Sequence, residues 1–157
     1  MLQNKTILLT GASSGIGRAT ALLLAKERAS LFLVARREAL LERLALEIRQ
    51  SGASVDYVAL DLARPEAVEH MVDAARHRMG RIDVLINNAA FGYFGTVENT
   101  PSQLVQEIFD VNFRAPLLAS QLVIPIMRRQ GGGQIINISS VRSEEHTSEL
   151  QSLAYLV

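Results

Sequence analysis

Thr10-Gly11-Ala12-Ser13-Ser14-Gly15-Ile16-Gly17 follows the apolar run Ile7-Leu8-Leu9 and opens an Ala/Leu-rich stretch, Arg18 to Arg28. That order is strand, glycine turn, helix. Gly11 lets the chain turn sharply off the strand, Gly15 lets the backbone approach a pyrophosphate, and Gly17 lets the new helix pack closely on its strand. The helix start then presents free N–H groups and the positive end of its dipole to an anion. The octet therefore predicts a phosphate-binding turn. Its spacing, G-x-x-x-G-x-G, differs from the commoner G-x-G-x-x-G. The alternative is a glycine turn that joins strand to helix and binds nothing.

The pattern repeats along the chain. Leu31–Ala35 is a short continuous apolar run of the kind buried on both faces in a parallel sheet. Leu40, Leu41, Leu44, Leu46 and Ile48 recur at near-helical spacing through Glu38–Gln50, and Gly52 ends that helix. Val55–Leu60 predicts a third strand. Pro65 opens a helix where its missing N–H costs nothing, and Gly80 closes it. Ile82–Ile86 and Gln134–Ile138 predict strands four and five. Between them Ser102 to Arg129 reads as helix, kinked by Pro125. Strand–helix alternation of this kind predicts an α/β fold, a doubly wound parallel sheet of Rossmann type, cut off after the fifth strand. Ligands of such sheets bind beyond the strands' carboxyl ends. Function is therefore sought at Gly11–Gly17, Arg36–Arg37, Asp61–Leu62, Asn87–Ala90 and Ser139–Ser140.

Composition narrows the classes. Sixteen basic and sixteen acidic side chains cancel across 157 residues, leaving no electrostatic footprint for nucleic acid or an anionic membrane. There is no cysteine, which excludes disulfides and thiol chemistry. The first strand begins almost at once, and the most apolar stretch, Leu117–Met127, is broken by Ser120, Gln121 and Pro125. A cytoplasmic protein is the expectation. His70 and His77 stand seven apart in a polar helix with no carboxylate or thiol at ligand spacing, so no metal site is expected.

The strand ends together resemble the short-chain dehydrogenase/reductase family. TGASSGIG is similar to its TGxxxGxG cofactor turn, Asp61-Leu62 to the pair that contacts adenine, and Asn87-Asn88-Ala89-Ala90 to NNAG. Asn112 is similar to the catalytic asparagine, and Ile138-Ser139-Ser140 to the segment holding the catalytic serine. Ala90 departs from the pattern, placing a methyl where the family has glycine. The resemblance implies a dinucleotide-binding domain over 1–141, with Gly11, Ala12, Ser13, Ser14, Gly15, Ile16, Gly17, Arg36, Arg37, Asp61, Leu62, Asn88, Ala89 and Ala90 binding the cofactor. It implies Asn112 and Ser140 as catalytic residues, with Ser139 as the lesser alternative to Ser140. In the family a tyrosine transfers the substrate proton, a lysine lowers that tyrosine's pKa, the serine bonds the reacting oxygen, and the asparagine supports a proton-relay water. Free tyrosine has a pKa near 10, too high for an efficient base at neutral pH without a nearby cation.

In this fold an acid at the end of the second strand holds the ribose hydroxyls of NAD. Here Ala35 stands there, followed by Arg36 and Arg37. An acid repels a 2′-phosphate and a guanidinium holds one, so NADP is favoured over NAD. The alternative is an Arg pair that solvates a helix start. The implied activity is hydride transfer between NADP(H) and a small carbonyl or alcohol. The reading from a different class is a non-catalytic dinucleotide-binding or sensing protein on the same fold. The helices between strands four and five commonly form the subunit interface in the family. Val105, Ile108, Phe109, Leu117, Leu118, Leu122 and Ile126 offer apolar surface there, so a complete parent is expected to be a homodimer or homotetramer.

Past Val141 the resemblance stops. The family's Y-x-x-x-K is due near 153 and 157, where Leu153 and Val157 stand. Tyr155 is out of register, and no lysine follows Lys26. Arg142–Ser152, RSEEHTSELQS, resembles the translation of a widely used sequencing-library adapter, so 142–157 is expected to be a non-native tail and the chain as written to be inactive.

Overall fold

The computed structural model describes residues 2–139. Five strands, β1 (Thr6–Thr10), β2 (Ser30–Ala35), β3 (Val55–Ala59), β4 (Val84–Asn87) and β5 (Gln134–Asn137), form one sheet in the order β3-β2-β1-β4-β5. All pairings are parallel; Leu8 lies opposite Phe32 on one side and Leu85 on the other. The helices are α1 (Gly15–Lys26), α2 (Glu38–Gln50), α3 (Pro65–Met79), α4 (Ser102–Phe109) and α5 (Ala115–Arg129). This is the doubly wound, Rossmann-type sheet expected, and the described strands end at β5.

Each face of the sheet has its own core. Ile7, Leu9, Leu31, Leu33 and Ile86 meet Ala21 and Ala25 of α1 and Leu41, Leu44 and Ile48 of α2. Leu8, Phe32, Val34 and Leu85 meet Val68, Met71 and Val72 of α3 and Ala119, Val123 and Ile126 of α5. Alternation along each strand sends neighbouring side chains to opposite cores, so the middle of a central strand is apolar at consecutive positions. Full burial of a leucine or phenylalanine here is worth about 1.5–3 kcal/mol. Among the described residues no helix is long and apolar enough to cross a membrane.

Several boundaries differ from the sequence reading. β4 starts at Val84, not Ile82, although the Asp83 backbone still donates to the Thr6 carbonyl and accepts the Gln134 N–H. The Asp83 side chain adds a further tie. Its Oδ2 accepts the Thr6 N–H at 2.9 Å, and Arg81 grips both carboxylate oxygens at 2.9 and 2.6 Å. Burial alone would raise the Asp83 pKa. The Arg81 hydrogen bonds, the Thr6 N–H and the charges of Arg81 and Lys5 outweigh it and hold the carboxyl below its usual range. The stretch Ser102–Arg129 is not one helix kinked at Pro125. α5 runs through Pro125, and the irregularity lies upstream in a wide π turn, Asp110–Arg114, closed by the Ala115 N–H on the Asp110 carbonyl. Pro125 sits on the exposed face of α5, where the carbonyl left without its helical partner is not shut into the core.

The outer edge of β3 is covered by side chains. The Ser54 carbonyl accepts from Leu31 and the Leu60 N–H donates to Ala35, so Val55 and Tyr57 turn their backbone groups away from β2. Arg49 donates to the Val55 carbonyl at 3.1 Å and Arg78 to that of Tyr57 at 3.2 Å, while Asp56 Oδ1 accepts the Tyr57 N–H at 2.8 Å. An edge with its polar groups occupied is a poor template for another strand. At the opposite edge, among the described residues, nothing covers the outward backbone of Ile135 and Asn137.

Candidate functional site

β1 is flanked by β2 on one side and β4 on the other, so the crossovers reverse direction there and the strand ends part into a crevice. Thr10 fixes its floor. The Thr10 hydroxyl donates to the Ile86 carbonyl at 3.3 Å and accepts the N–H groups of Asn88 and Ala89, both at 3.0 Å. Asn88 returns the tie, its amide donating to the carbonyls of Thr10 and Gly11 at 3.0 and 3.2 Å. The β1 turn and the residues after β4 are thereby one rigid unit.

The turn holds only because three positions lack a side chain. Gly11 has φ of +67°, and a Cβ there would stand 2.8 Å from the Ala89 Cα. A Cβ on Gly17 would overlap the Gly11 carbonyl oxygen and reach 2.6 Å from the Asn88 amide nitrogen. Gly15 opens α1 with φ of +53° and free space around its Cα. The Arg18 N–H bonds the Ser14 carbonyl, so the N–H groups of Gly15, Ile16 and Gly17 are the ones α1 leaves free.

A cleft of about 330 Å³ opens above this turn. It gathers Gly11, Ser13, Ser14, Ile16, Gly17, Arg36, Arg37, Asp61, Leu62, Asn88, Ala89 and Ala90, twelve of the fourteen cofactor residues named from sequence. The other two lie elsewhere. Ala12 is fully buried and its N–H bonds the Val34 carbonyl. Gly15 sits beside the cleft as the exposed first residue of α1, outside the lining. Ala35, Leu60, Phe91 and Val111 join the lining without having been assigned to the cofactor.

Arg37 reaches across the cleft, its Nη2 donating to the Ser13 and Ser14 hydroxyls at 3.1 and 2.7 Å. Each serine is an acceptor in that contact and keeps its own O–H to offer an anion. A helix N-terminus, two hydroxyls and two guanidiniums therefore converge. The carboxylate in the lining, Asp61, stands at the end of β3 and accepts the Ala63 N–H, while Glu38 lies outside the cleft. The donor set suits a phosphate-bearing ligand, which would be held by the α1 N–H groups and the two serines.

A second cavity of about 730 Å³ adjoins the first across Ala89, Ala90 and Phe91. Asn112, Phe113, Leu117, Ser120, Asn137 and Ser139 line it. Asn112 sits in the π turn, a place where a helix can re-aim a side chain. Its amide is engaged at both ends by one residue: Oδ1 accepts the Phe91 N–H at 3.1 Å and Nδ2 donates to the Phe91 carbonyl at 2.9 Å. Ser139 faces the same cavity; Ser140 lies outside the described residues, as do Tyr155 and the stretch 142–157. Thr10 and Phe91 are what the sequence reading missed here. The threonine stands inside the diagnostic octet, but its partners lie more than seventy residues away.

A family model described as short chain dehydrogenase matches residues 5–154. The ketoacyl reductase HetN of Nostoc sp. is 35% identical over 144 residues, covering 92% of this chain and 50% of its own. A metagenomic short-chain oxidoreductase solved with NADP superposes with a TM-score of 0.85 at 34% identity, covering 89% of this chain and 63% of that one. The L-sorbose reductase of Gluconobacter frateurii, solved with NADPH and L-sorbose, gives 0.85 at 35% identity, over 89% and 54%. The chain spans about half the length of the curated relatives it matches.

Proposed function

Because the chain belongs to the short chain dehydrogenase family, we propose that the whole protein is an oxidoreductase that moves a hydride between NADP(H) and a small carbonyl or alcohol substrate. The observation that carries the cofactor half is Arg37 anchored on both turn serines with Arg36 beside it, and no carboxylate at the end of β2. When bound, the nicotinamide supplies and accepts the hydride. The chain's own residues do the rest. The α1 N-terminus, Ser13 and Ser14 hold the pyrophosphate, and Arg36 and Arg37 hold the 2′-phosphate. Asp61 and Leu62 border the adenine end, and Ala89 and Ala90 border the passage from one cavity to the other. Asn112 fixes the backbone of that passage, and Ser140 is assigned to the reacting oxygen. In the protein completed by its native C-terminal half, Arg36→Ala should weaken NADP(H) far more than NAD(H), by about 1.5–3 kcal/mol for the lost charge-assisted contact. Titration of both cofactors measures this. Equal losses for the two would refute the NADP assignment.

What the helices leave exposed supports the reading of a homodimer or homotetramer. Val105, Phe109 and Leu117 are about half exposed, whereas Ile126 is buried and Ile108, Leu118 and Leu122 are partly so. Phe113 joins the exposed set, its ring 5.0 Å from that of Phe109. Four large apolar side chains in one stretch make a surface for a second copy. Sedimentation of the completed protein at micromolar concentration should give a dimer or tetramer; a monomer would contradict the assignment.

A further inference from the structure

Two arginines follow β2, and only one has polar partners. Arg37 is fixed by the two serine hydroxyls, whereas Arg36, among the described residues, makes neither ion pair nor hydrogen bond. Its guanidinium lies instead over the face of Phe91, with Cζ 5.8 Å from the ring centroid. The two residues come from opposite sides of the glycine turn, Arg36 after β2 and Phe91 after β4, and both line the same cleft. The Phe91 backbone is itself immobilised, since Asn112 grips its N–H and its carbonyl together. A fixed backbone leaves the ring only its own two side-chain torsions.

We propose that Phe91 is a specificity-determining positioning residue, whose ring docks the Arg36 guanidinium at the mouth of the cleft, ready for the 2′-phosphate. The proposal rests on the reading that the cleft takes a 2′-phosphorylated dinucleotide. An unconstrained arginine loses much rotamer freedom when it binds an anion; one already docked loses less, and that saving appears only with ligands that carry the phosphate. A cation over an aromatic face keeps its N–H edge free to donate, so docking and phosphate binding are compatible. A contact made directly by the ring to adenine would instead serve phosphorylated and unphosphorylated ligands equally.

The test uses the adenosine half alone. Calorimetric titration of the chain with 2′,5′-ADP and with 5′-AMP isolates the 2′-phosphate from everything on the nicotinamide side. Arg36→Ala is expected to abolish most of the preference for 2′,5′-ADP. Phe91→Leu should weaken 2′,5′-ADP about 2- to 5-fold, the range of an exposed cation–π contact, and leave 5′-AMP unchanged. Phe91→Tyr, which keeps the aromatic face, should restore the wild-type affinity, and Phe91→Met supplies a second variant without one should Phe91→Leu fail to fold. If Arg36→Ala removes the preference while Phe91→Leu and Phe91→Met leave it intact, the positioning role is wrong and the NADP reading stands. If Arg36→Ala leaves the preference untouched, the NADP reading itself fails. Equal weakening of both ligands by Phe91→Leu would assign the ring to adenine and overturn the proposal.

Discussion

The 157-residue chain, purified and given NADPH with a panel of aldehydes, ketones and quinones, is expected to consume no cofactor above background. The two cavities bring together a glycine turn at a helix N-terminus, an anchored arginine and the Asn112 clamp. The family's proton-transferring tyrosine and its lysine have no counterpart at their due positions, which hold Leu153 and Val157. Loss of a positioned acid–base group typically removes about 10²–10⁴ in rate, and an untuned phenol with a pKa near 10 does not replace it. We propose that Arg142–Ser152 is translated adapter and that the native gene continues differently after Val141. Resequencing the source locus should then yield a continuation with Tyr-x-x-x-Lys in register. Turnover by the present chain that vanishes on Tyr155→Phe would show that the tail is functional and reverse both statements.

Gly17→Ala is expected to be the most damaging single methyl in the molecule. The added Cβ would overlap the Gly11 carbonyl oxygen, and its next neighbour is the Asn88 amide that bonds the same turn. Neither can retreat. Gly11 is held at positive φ against Ala89, and Asn88 is held by Thr10, so relief requires α1 to move off the sheet. Overpacking a well-filled site costs about 1–3 kcal/mol, and a backbone obstacle puts this case at the upper end. In a domain of this size that lowers Tm by about 6–12 °C. Because the shift displaces the α1 N-terminus, phosphate binding should fall with it. Gly92→Ala is the control, since nothing lies within 4 Å of its added methyl and Gly92 lacks a positive φ. Its effect on stability should stay within about 0.5 kcal/mol. Thermal unfolding of the two variants side by side checks the contrast, and similar Tm values would show that the turn is softer than its contacts imply.

What could be read directly from the chain was whatever short-range chemistry decides. The octet Thr10–Gly17, the bounds of α2 at Glu38–Gln50 and the proline-to-glycine frame of α3 all depend on neighbours within a turn or two. The apolar strands follow from burial on both faces. Five strand ends in order then placed the cleft, and twelve of the fourteen residues assigned to a cofactor from sequence line it. The remainder depends on partners far apart in sequence. Ala12 reads as part of the turn, yet the Val34 carbonyl takes its N–H. Asp83 reads as an ordinary strand residue, yet its carboxylate takes Arg81 and the Thr6 N–H. A π turn has no composition of its own, so the re-aiming of Asn112 onto Phe91 twenty-one residues away appears only when the chain is folded. Periodicity reports which face of an element is apolar; it carries no information on which polar atoms from distant segments will meet. Packing the layers decides that, and it decided the Thr10 tie, the Asn112 clamp and the contact of Arg36 with Phe91.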